Sequence, residues 1–577
     1  MRKKFFIALA FMLMTLTSWG QILTIGGHRA VPAVVKNDTV WLCSISQSYF
    51  GDNFTATVNY GDSISDFAID SVMVASGEDF VFETVEGGKK YAVTALLNDQ
   101  EISGYITFTW LPLVELYGSF NQYYHYGSVV VNEPDSAMGD PLFAKVKWRG
   151  HSTIGGNKHN YRIKFMNPED TTKENHRFFG LRNDNTWLLD AGQKDFLRVR
   201  NHVNLGLWQD MARRAWYTDS LPNARKGSRG QMVEVILNDK YMGVYNMCEP
   251  LDRKQLKLKR YDEENRKFHG VLWESYQWTR TVTMSNPIKR TPGMVTWDGF
   301  QIDYPDYGEI GSVYWKPLED AVYFAGRADD DMQVRVDSMG YYFDLPIMQD
   351  YFLFLTTIQA LDNESKNIFY GCYDVQTNPR LVMFPWDTDI SLGANINPGL
   401  DQPDIVSPER NIRWICHLPM VDMWGVKSYR NELCSRYQEL RQTVLNTDSL
   451  VNRYRSVVDN IIACGAGDRE QKTWSGNIDL HWKTLDLNKE MDYVEDWIRR
   501  RMTYLDEQVY VPVPEFPRDD VNRDGEVNIA DINALIDIIL TGTITYNEDN
   551  YITGDANADD EVGIADINTV IDYILNH

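Results

Sequence analysis

An aspartate, an asparagine five residues on and a second aspartate twenty residues beyond it, Asp362, Asn367 and Asp387, have the spacing that could most directly do chemistry in this chain. In phosphoryl transfer one carboxylate orients the attacking hydroxyl and takes its proton, while a carboxamide and a second carboxylate hold the cation that bridges the phosphates. The apolar run Tyr351 to Leu361 predicts a helix that delivers Asp362–Asn367 on the loop after it. A short strand pair ending in Met383-Phe-Pro-Trp-Asp387 then brings the second aspartate back to the same place. The plainer readings are that Asp362 caps a helix end and that Asp389 is a buried carboxylate bracing the loop.

A second constellation lies upstream. Val146-Lys-Trp-Arg-Gly-His-Ser-Thr-Ile-Gly-Gly-Asn-Lys158 runs into Tyr161-Arg-Ile-Lys-Phe165, a glycine-containing turn followed by a strand that shows Arg162 and Lys164 on one face. Backbone N–H groups and a fixed cation suit a polyphosphate. An ordinary hairpin with a solvated basic face has the same residues.

A third lies near the C-terminus, where Asp520-Val-Asn522-Arg-Asp524-Gly525-Glu526 and Asp555-Ala-Asn557-Ala-Asp559-Asp560-Glu561 are copies of each other. Side-chain oxygens at positions 1, 3 and 5, a backbone carbonyl at 7 (Glu526, Glu561) and a carboxylate at 12 (Asp531, Asp566) are the hard ligands Ca²⁺ prefers. The sharp bend falls at Gly525 and at Asp560, and aspartate tolerates a left-handed backbone less well, so the second loop is expected to bind more weakly. Each loop opens an amphipathic helix, with Ile532, Leu535, Ile536 and Ile539 in one copy and Ile567, Val570, Ile571 and Ile574 in the other.

The elements that must position these groups are legible in outline. A charged start followed by an uncharged apolar run predicts a signal peptide over residues 1–20. Short alternating runs punctuated by glycine and aspartate predict a β-sandwich of immunoglobulin type over 21–112, and mixed strands and helices predict an α+β domain over 113–510. Late in that domain Arg499, Arg500 and Arg501 sit where cations suit a helix C-terminus. Three prolines in residues 511–517 make a stiff linker before the tail, 518–577.

Six cysteines without a CxxC pair leave room for one or two disulfides and argue against a zinc site. The tail holds 14 acidic residues against two arginines, half of the net charge of −24, so the remainder is only mildly acidic. That balance argues against nucleic acid as partner, and no later apolar stretch is long enough to span a bilayer.

The duplicated loop-plus-helix resembles a type I dockerin, which implies an all-α module with paired calcium loops and a cohesin-like partner. The family's contact positions are here Ile529, Ala530, Ile564 and Ala565. The central region, with RGHSTIGG, YRIKF, FLRVRN at 196–201, Val233 to Glu249, Ala360-Leu-Asp-Asn and PWDTDISLG in that order, resembles the CotH family of spore-coat-type, kinase-like proteins. That resemblance implies a divergent protein-kinase-like fold using ATP with Mg²⁺ or Mn²⁺. Asp362 would be the catalytic base, Asp387 the metal ligand, and Lys164 or Arg162 the phosphate contact. Asn367 joins the metal by the spacing argument, and Glu249 is taken as the cation's ion-pair partner.

The expected activity is transfer of the γ-phosphoryl group to Ser or Thr of a secreted or surface protein. A second reading is a catalytically inactive scaffold in a surface or polysaccharide-degrading assembly. A third, polysaccharide hydrolysis by Asp387 and Asp389, leaves Asn367 and the basic strand without a role.

Overall fold

The computed structural model describes residues 23–136, 139–150, 154–327, 331–394, 406–411, 419–476, 484–513, 516–546 and 552–577. The expected signal peptide lies outside the described residues, as do residues 151–153 of the glycine-containing turn, Pro514 and Glu515 of the linker, and Cys416. The chain is a mixed α+β, multidomain protein with a β-rich N-terminal region and a helical C-terminal region.

The first nine strands are β1 (Thr24–Ile25), β2 (His28–Val35), β3 (Asp38–Ser44), β4 (Phe54–Asn59), β5 (Ile64–Ile69), β6 (Val72–Met73), β7 (Glu78–Phe82), β8 (Tyr91–Leu97) and β9 (Gln100–Thr109). One sheet runs β2-β3-β9-β8-β5-β6, and β1 links it to β4 and β7. Their alternating inward residues, among them Trp41, Phe54, Phe82, Tyr91 and Phe108, make one apolar core.

The next group is β10 (Leu113–Tyr117), β11 (His125–Asn132), β12 (Leu142–Arg149), β13 (Asn160–Phe165), the short pair β14 (His176–Arg177) and β15 (Asn183–Asp184), then β16 (Thr186–Asp190), β17 (Gly230–Leu237) and β18 (Lys240–Cys248). The order β16-β13-β12-β11-β10-β17-β18 closes because β18 also pairs with β16, which gives a seven-stranded barrel. Its interior is filled by Val146, Tyr161, Ile163, Trp187, Val235 and Tyr245. Lys240 pairs with Val34, which joins the barrel to the first sheet. A small apolar cluster of Val31, Val35, Leu42, Leu113, Ile236 and Tyr241 covers that junction.

Beyond the barrel, β19 (Val271–Ser275), β20 (Thr296–Trp297), β21 (Phe300–Tyr304), β22 (Ile368–Asp374) and β23 (Asn378–Pro385) form an antiparallel sheet in the order β20-β21-β19-β22-β23. Helices pack against this sheet, against the barrel and against one another, and five of them position the site: α1 (Arg200–Met211), α2 (Leu345–Ile358), α3 (Thr447–Ala463), α4 (Ala466–Trp474) and α5 (Leu487–Tyr504). Asp344 caps α2, accepting from Ile347 N, and every α2 residue from Ile347 to Ile358 is buried.

The two lobes are joined by charge. Glu470 on α4 is fully buried and accepts Lys158 Nζ at 2.9 Å, Arg198 Nε at 2.6 Å and the Val244 N–H at 2.8 Å. A neutral group there would leave two enclosed cations without a countercharge, and these cations hold the Glu470 carboxyl below its ordinary range against the cost of burial. Gly243 has φ +99°, and a Cβ on it would lie 1.9 Å from Glu470 Oε2, so glycine is required for the close approach. The residue before it, Arg469, forks onto Glu234 at 2.8 and 2.7 Å.

Several expectations are corrected here. The late arginines do not simply cap α5: Arg501 is fully buried and donates to the carbonyls of Thr356, Pro408 and Arg410, while Arg499 and Arg500 pair with Glu495, Asp448 and Glu409. The described cysteines, Cys43, Cys248, Cys372, Cys434 and Cys464, are all free and buried. Among the described residues no helix is long and apolar enough to cross a membrane.

Substituting Glu470→Gln should cost about 3–5 kcal/mol, the usual penalty for stripping the partner from buried charges. Chemical unfolding followed by tryptophan fluorescence reads it, and an unchanged midpoint would show that the seam does not depend on this carboxylate.

Candidate functional site

A cleft of about 610 Å³ opens between barrel and sheet, lined by Arg149, Gly150, Asn160, Asp190, Gln193, Lys194, Glu274, Tyr276, Gln301, Asp362, Lys366, Asn367, Trp386, Asp387, Asp389 and Ile390. That volume suits a nucleotide-sized ligand. Asp362 stands in a short 3₁₀ turn, Leu361–Glu364, just after α2. Asn367, at φ +58°, begins the return into β22 and donates its amide to Asp362 Oδ2 at 3.1 Å and to the Asp387 carbonyl at 3.5 Å. Asp387 follows β23, also left-handed at φ +53°. Two non-glycine residues in that region, facing one cleft, are local strain of the kind that clusters at working sites.

The loop carrying Asp387 is fastened from the other lobe. Asn201 at the start of α1 accepts from Thr388 N at 3.0 Å and donates to Asp190 Oδ2 at 2.6 Å. One turn on, Asn204 donates to the Thr388 carbonyl and Ser391 Oγ, both at 2.8 Å. Arg200 beside them is buried between Asp195 and Glu490, at 2.5 and 2.7 Å. The FLRVRN segment thus supplies two arginines to the seams and one asparagine to the site.

Asp362 is further held by Trp278 Nε1 at 3.0 Å and Lys366 Nζ at 2.7 Å. Burial pushes the Asp387 carboxyl up to about 6, aided by the charges of Asp190 and Asp362 and opposed by Arg149 and Lys366. Asp389 is driven well above the carboxylate range by burial and then by Asp387. Glu274, which accepts Gln301 Nε2 at 2.6 Å, is also raised by burial, and Asp303 beside it is pushed up to about 7. The Arg149 guanidinium lies 5.3 Å from the Trp386 ring.

Asp387, Asp389 and the Asn367 carboxamide are hard oxygen donors of the type Mg²⁺ and Mn²⁺ take, and crowded, under-compensated carboxylates are what a cation would relieve. Among the described residues no three carboxylates, imidazoles or thiolates converge as a preformed cage, so such an ion would draw further ligands from substrate or water.

The remaining candidates fall elsewhere. Arg162 lies beside the cleft, its charge felt by Glu274 and Asp303, whereas Lys164 is two residues further along β13 and outside the cavity lining. The ion pair expected for Glu249 forms with Arg229 at 3.4 Å, beside bonds from Arg182 N and Gln255 Nε2, and not with Arg162 or Lys164. That corrects its role: burial at the end of β18 makes it a brace of the 182–255 corner. Asp190, Arg149 and Glu274 were missed because single charged residues at strand ends carry no spacing signal.

In the tail, helices α6 (Ile529–Thr541) and α7 (Ile564–Asn576) follow two loops with one hydrogen-bond pattern. Asp520 accepts from Asp524 N and Gly525 N, and Asp555 from Asp559 N and Asp560 N. Asn522 N and Asn528 N donate to Asp531, and Asn557 N and Gly563 N to Asp566. Asp524 Oδ1 takes the Glu526 N–H, and Asp559 Oδ1 that of Glu561. Gly525 and Asp560 are both left-handed, at φ +95° and +66°. The buried seam is Val521, Leu535 and Val570 with Ile532, Ile538, Ile567 and Ile574 against it; of the expected apolar faces Ile536, which faces solvent, Ile539 and Ile571 lie outside it, and Ile538 takes a place in it.

A barrel and a helix-covered sheet enclosing an acidic cleft define a two-lobed α+β protein with room for a small anionic ligand. The profile of the CotH kinase protein family matches residues 146–505, more than half of the chain, and the chain belongs to that family. Comparison with the curated proteins finds no match.

Because the Asp387 carboxyl is raised in the folded state, folding favours its protonated form. Its contribution is full below the unfolded value near 4 and is lost as pH rises through about 6. In metal-free buffer Asp387→Asn should therefore raise the melting temperature at pH 8 and leave it unchanged at pH 4. Thermal unfolding at the two pH values checks this, and equal shifts at both would contradict it.

Proposed function

We propose that the chain is an exported kinase-like enzyme that moves the γ-phosphoryl group of ATP to a Ser or Thr hydroxyl of a secreted or surface protein. The observation that carries this reading is the Asn367 amide joining Asp362 Oδ2 and the Asp387 backbone at the base of one cleft. Asp362 orients the acceptor hydroxyl and takes its proton late, as the new O–P bond forms and the bond to the β-phosphate oxygen breaks, releasing ADP. Asp387, with Asn367 and Asp389, would hold Mg²⁺ or Mn²⁺, which supplies charge neutralisation across the β and γ oxygens. Lys366 and Arg149 face the same space and balance phosphate charge from either side.

A scaffold without catalysis draws support from a different observation: Lys366 already neutralises Asp362 at 2.7 Å. Labelled ATP with Mn²⁺ tests the choice. The wild-type chain should label itself or a partner, Asp387→Ala should abolish labelling, and Asp362→Asn should lower it by about 10²–10⁴. A silent calorimetric titration with ATP and Mn²⁺ would favour the scaffold.

For the tail we infer a dockerin-like, two-Ca²⁺ module that docks on a cohesin-like partner. Its support is the repeated loop pattern around Asp520, Asp531, Asp555 and Asp566, all buried, with Arg518 near Asp555 at 3.1 Å. Position 7 ligation comes from the Glu526 and Glu561 carbonyls. Ile529 and Ile564 are exposed at matching places, an apolar pair on each copy. Chelation should open residues 518–577 to proteolysis while the rest of the chain resists. Equal cleavage with and without chelator would remove calcium from the account.

A further inference from the structure

The outer face of the barrel carries lysines that form no ion pair with an acid among the described residues. β12 and β13 pair Lys145 with Lys164, Lys147 with Arg162 and Arg149 with Asn160, so these side chains share one face. The ammonium groups of Lys145, Lys147 and Lys164 lie 5.3, 5.0 and 5.3 Å from the centre of a single ring, Tyr124. All three are half-buried, and none makes an ion pair with a described residue. Burial and the charges of Arg162, Lys145, Lys173 and Lys147 hold Lys164 down to about 8. A solubilising surface would spread its charges into water and mix the signs. Here one sign is packed together around an aromatic ring, which is costly unless an anion arrives.

The geometry narrows which anion. Neighbouring strands are about 4.8 Å apart and alternate residues on one strand about 6.7 Å apart, so the lysines are anchored as a ladder, with their ammonium groups gathered about the Tyr124 ring. An extended chain repeats same-side side chains at the same ~6.7 Å, so carboxylates at alternate positions match the rungs. The ladder runs from Arg149 and Asn160, which line the cleft, to Lys145 and Lys164, four residues or about 13 Å away. Glu274 and Asp303 sit at the cleft end, beside Arg162, and would turn acidic side chains away from the cleft itself.

We propose that Lys145, Lys147 and Lys164, arrayed about Tyr124, dock an extended acidic segment of the protein substrate, with Asp or Glu at alternate positions centred about four residues from the hydroxyl in the cleft. The word substrate rests on the kinase reading; the docking strip does not.

The test uses the full chain and a fluorescent peptide with glutamates at three alternate positions, the middle one about four residues from a serine, alongside a peptide with glutamine in their place. The wild type should bind the acidic peptide, with affinity falling as salt rises, and bind the glutamine peptide far more weakly. Lys145→Gln/Lys147→Gln should weaken the acidic peptide about tenfold, and Lys145→Arg/Lys147→Arg should restore it. ATP binding by calorimetry should be unchanged in both variants, and in a labelling assay KM for the peptide should rise with kcat unchanged. Equal binding of the acidic peptide by wild type and the glutamine variant would overturn the proposal. Loss of ATP binding in that variant, with peptide binding intact, would assign the strip to nucleotide phosphates and overturn it too. If the chain binds no ATP and the glutamine variant still loses the acidic peptide, the strip stands while the kinase reading falls.

Discussion

Glu470 brings one negative charge into a closed seam, and the two lobes keep their relation because three donors from the barrel side converge on it. Lys158 comes from the end of the glycine-containing turn, Arg198 from the segment before α1 and the Val244 N–H from β18. Each alone would be an expensive buried group; together they set two cations against one carboxylate, and burial, with Arg198 beside it, pushes the Lys158 ammonium down to about 7. A misplaced lobe would strand all of them at once. The seam therefore fixes the width of the cleft, and through Arg198 it fixes the segment from which Asn201 reaches the loop of Asp387.

The site then works against its own electrostatics. Asp190, Asp387 and Asp389 are held near one another by backbone geometry and by amide donors, while Arg149 and Lys366 oppose the charge of Asp387. Folding alone would not select such an arrangement, because enclosed like charges cost stability. Left-handed backbone at both Asn367 and Asp387 adds to that cost. The rigid surroundings, a fully buried α2 and a doubly anchored loop, are what hold it.

How much of this could be read from residues alone follows from sequence distance. Asp362, Asn367 and Asp387 are legible because a helix end, a loop and a hairpin place them by local rules, and the duplicated tail because spacing and helix phase repeat. Even there the phase was off at Ile536, since the angle at which α6 meets α7 selects Ile538, and helix period does not encode that angle. The seam was illegible: Lys158 and Glu470 are 312 positions apart, and nothing local to either reports the other. Glu249 failed for a related reason. A glutamate after a strand looks free to pair with any cation, and only the closure of the barrel aims it at Arg229.

Charge separation across the cleft constrains what can enter it. A polyphosphate approaching alone would meet Asp190, Asp362, Asp387 and Asp389 against three lining cations, Arg149, Lys194 and Lys366. At separations of a few ångströms and a reduced local dielectric, each uncompensated pair of like charges costs several kcal/mol, more than hydrogen bonds from Asn160 or Gln193 would return. On the kinase reading, the acidic wall would favour a metal-bound phosphate ligand over a bare one. The same separation keeps an acidic polypeptide off that wall and on the lysine face of β12 and β13, so the two kinds of anion would be sorted before either is bound.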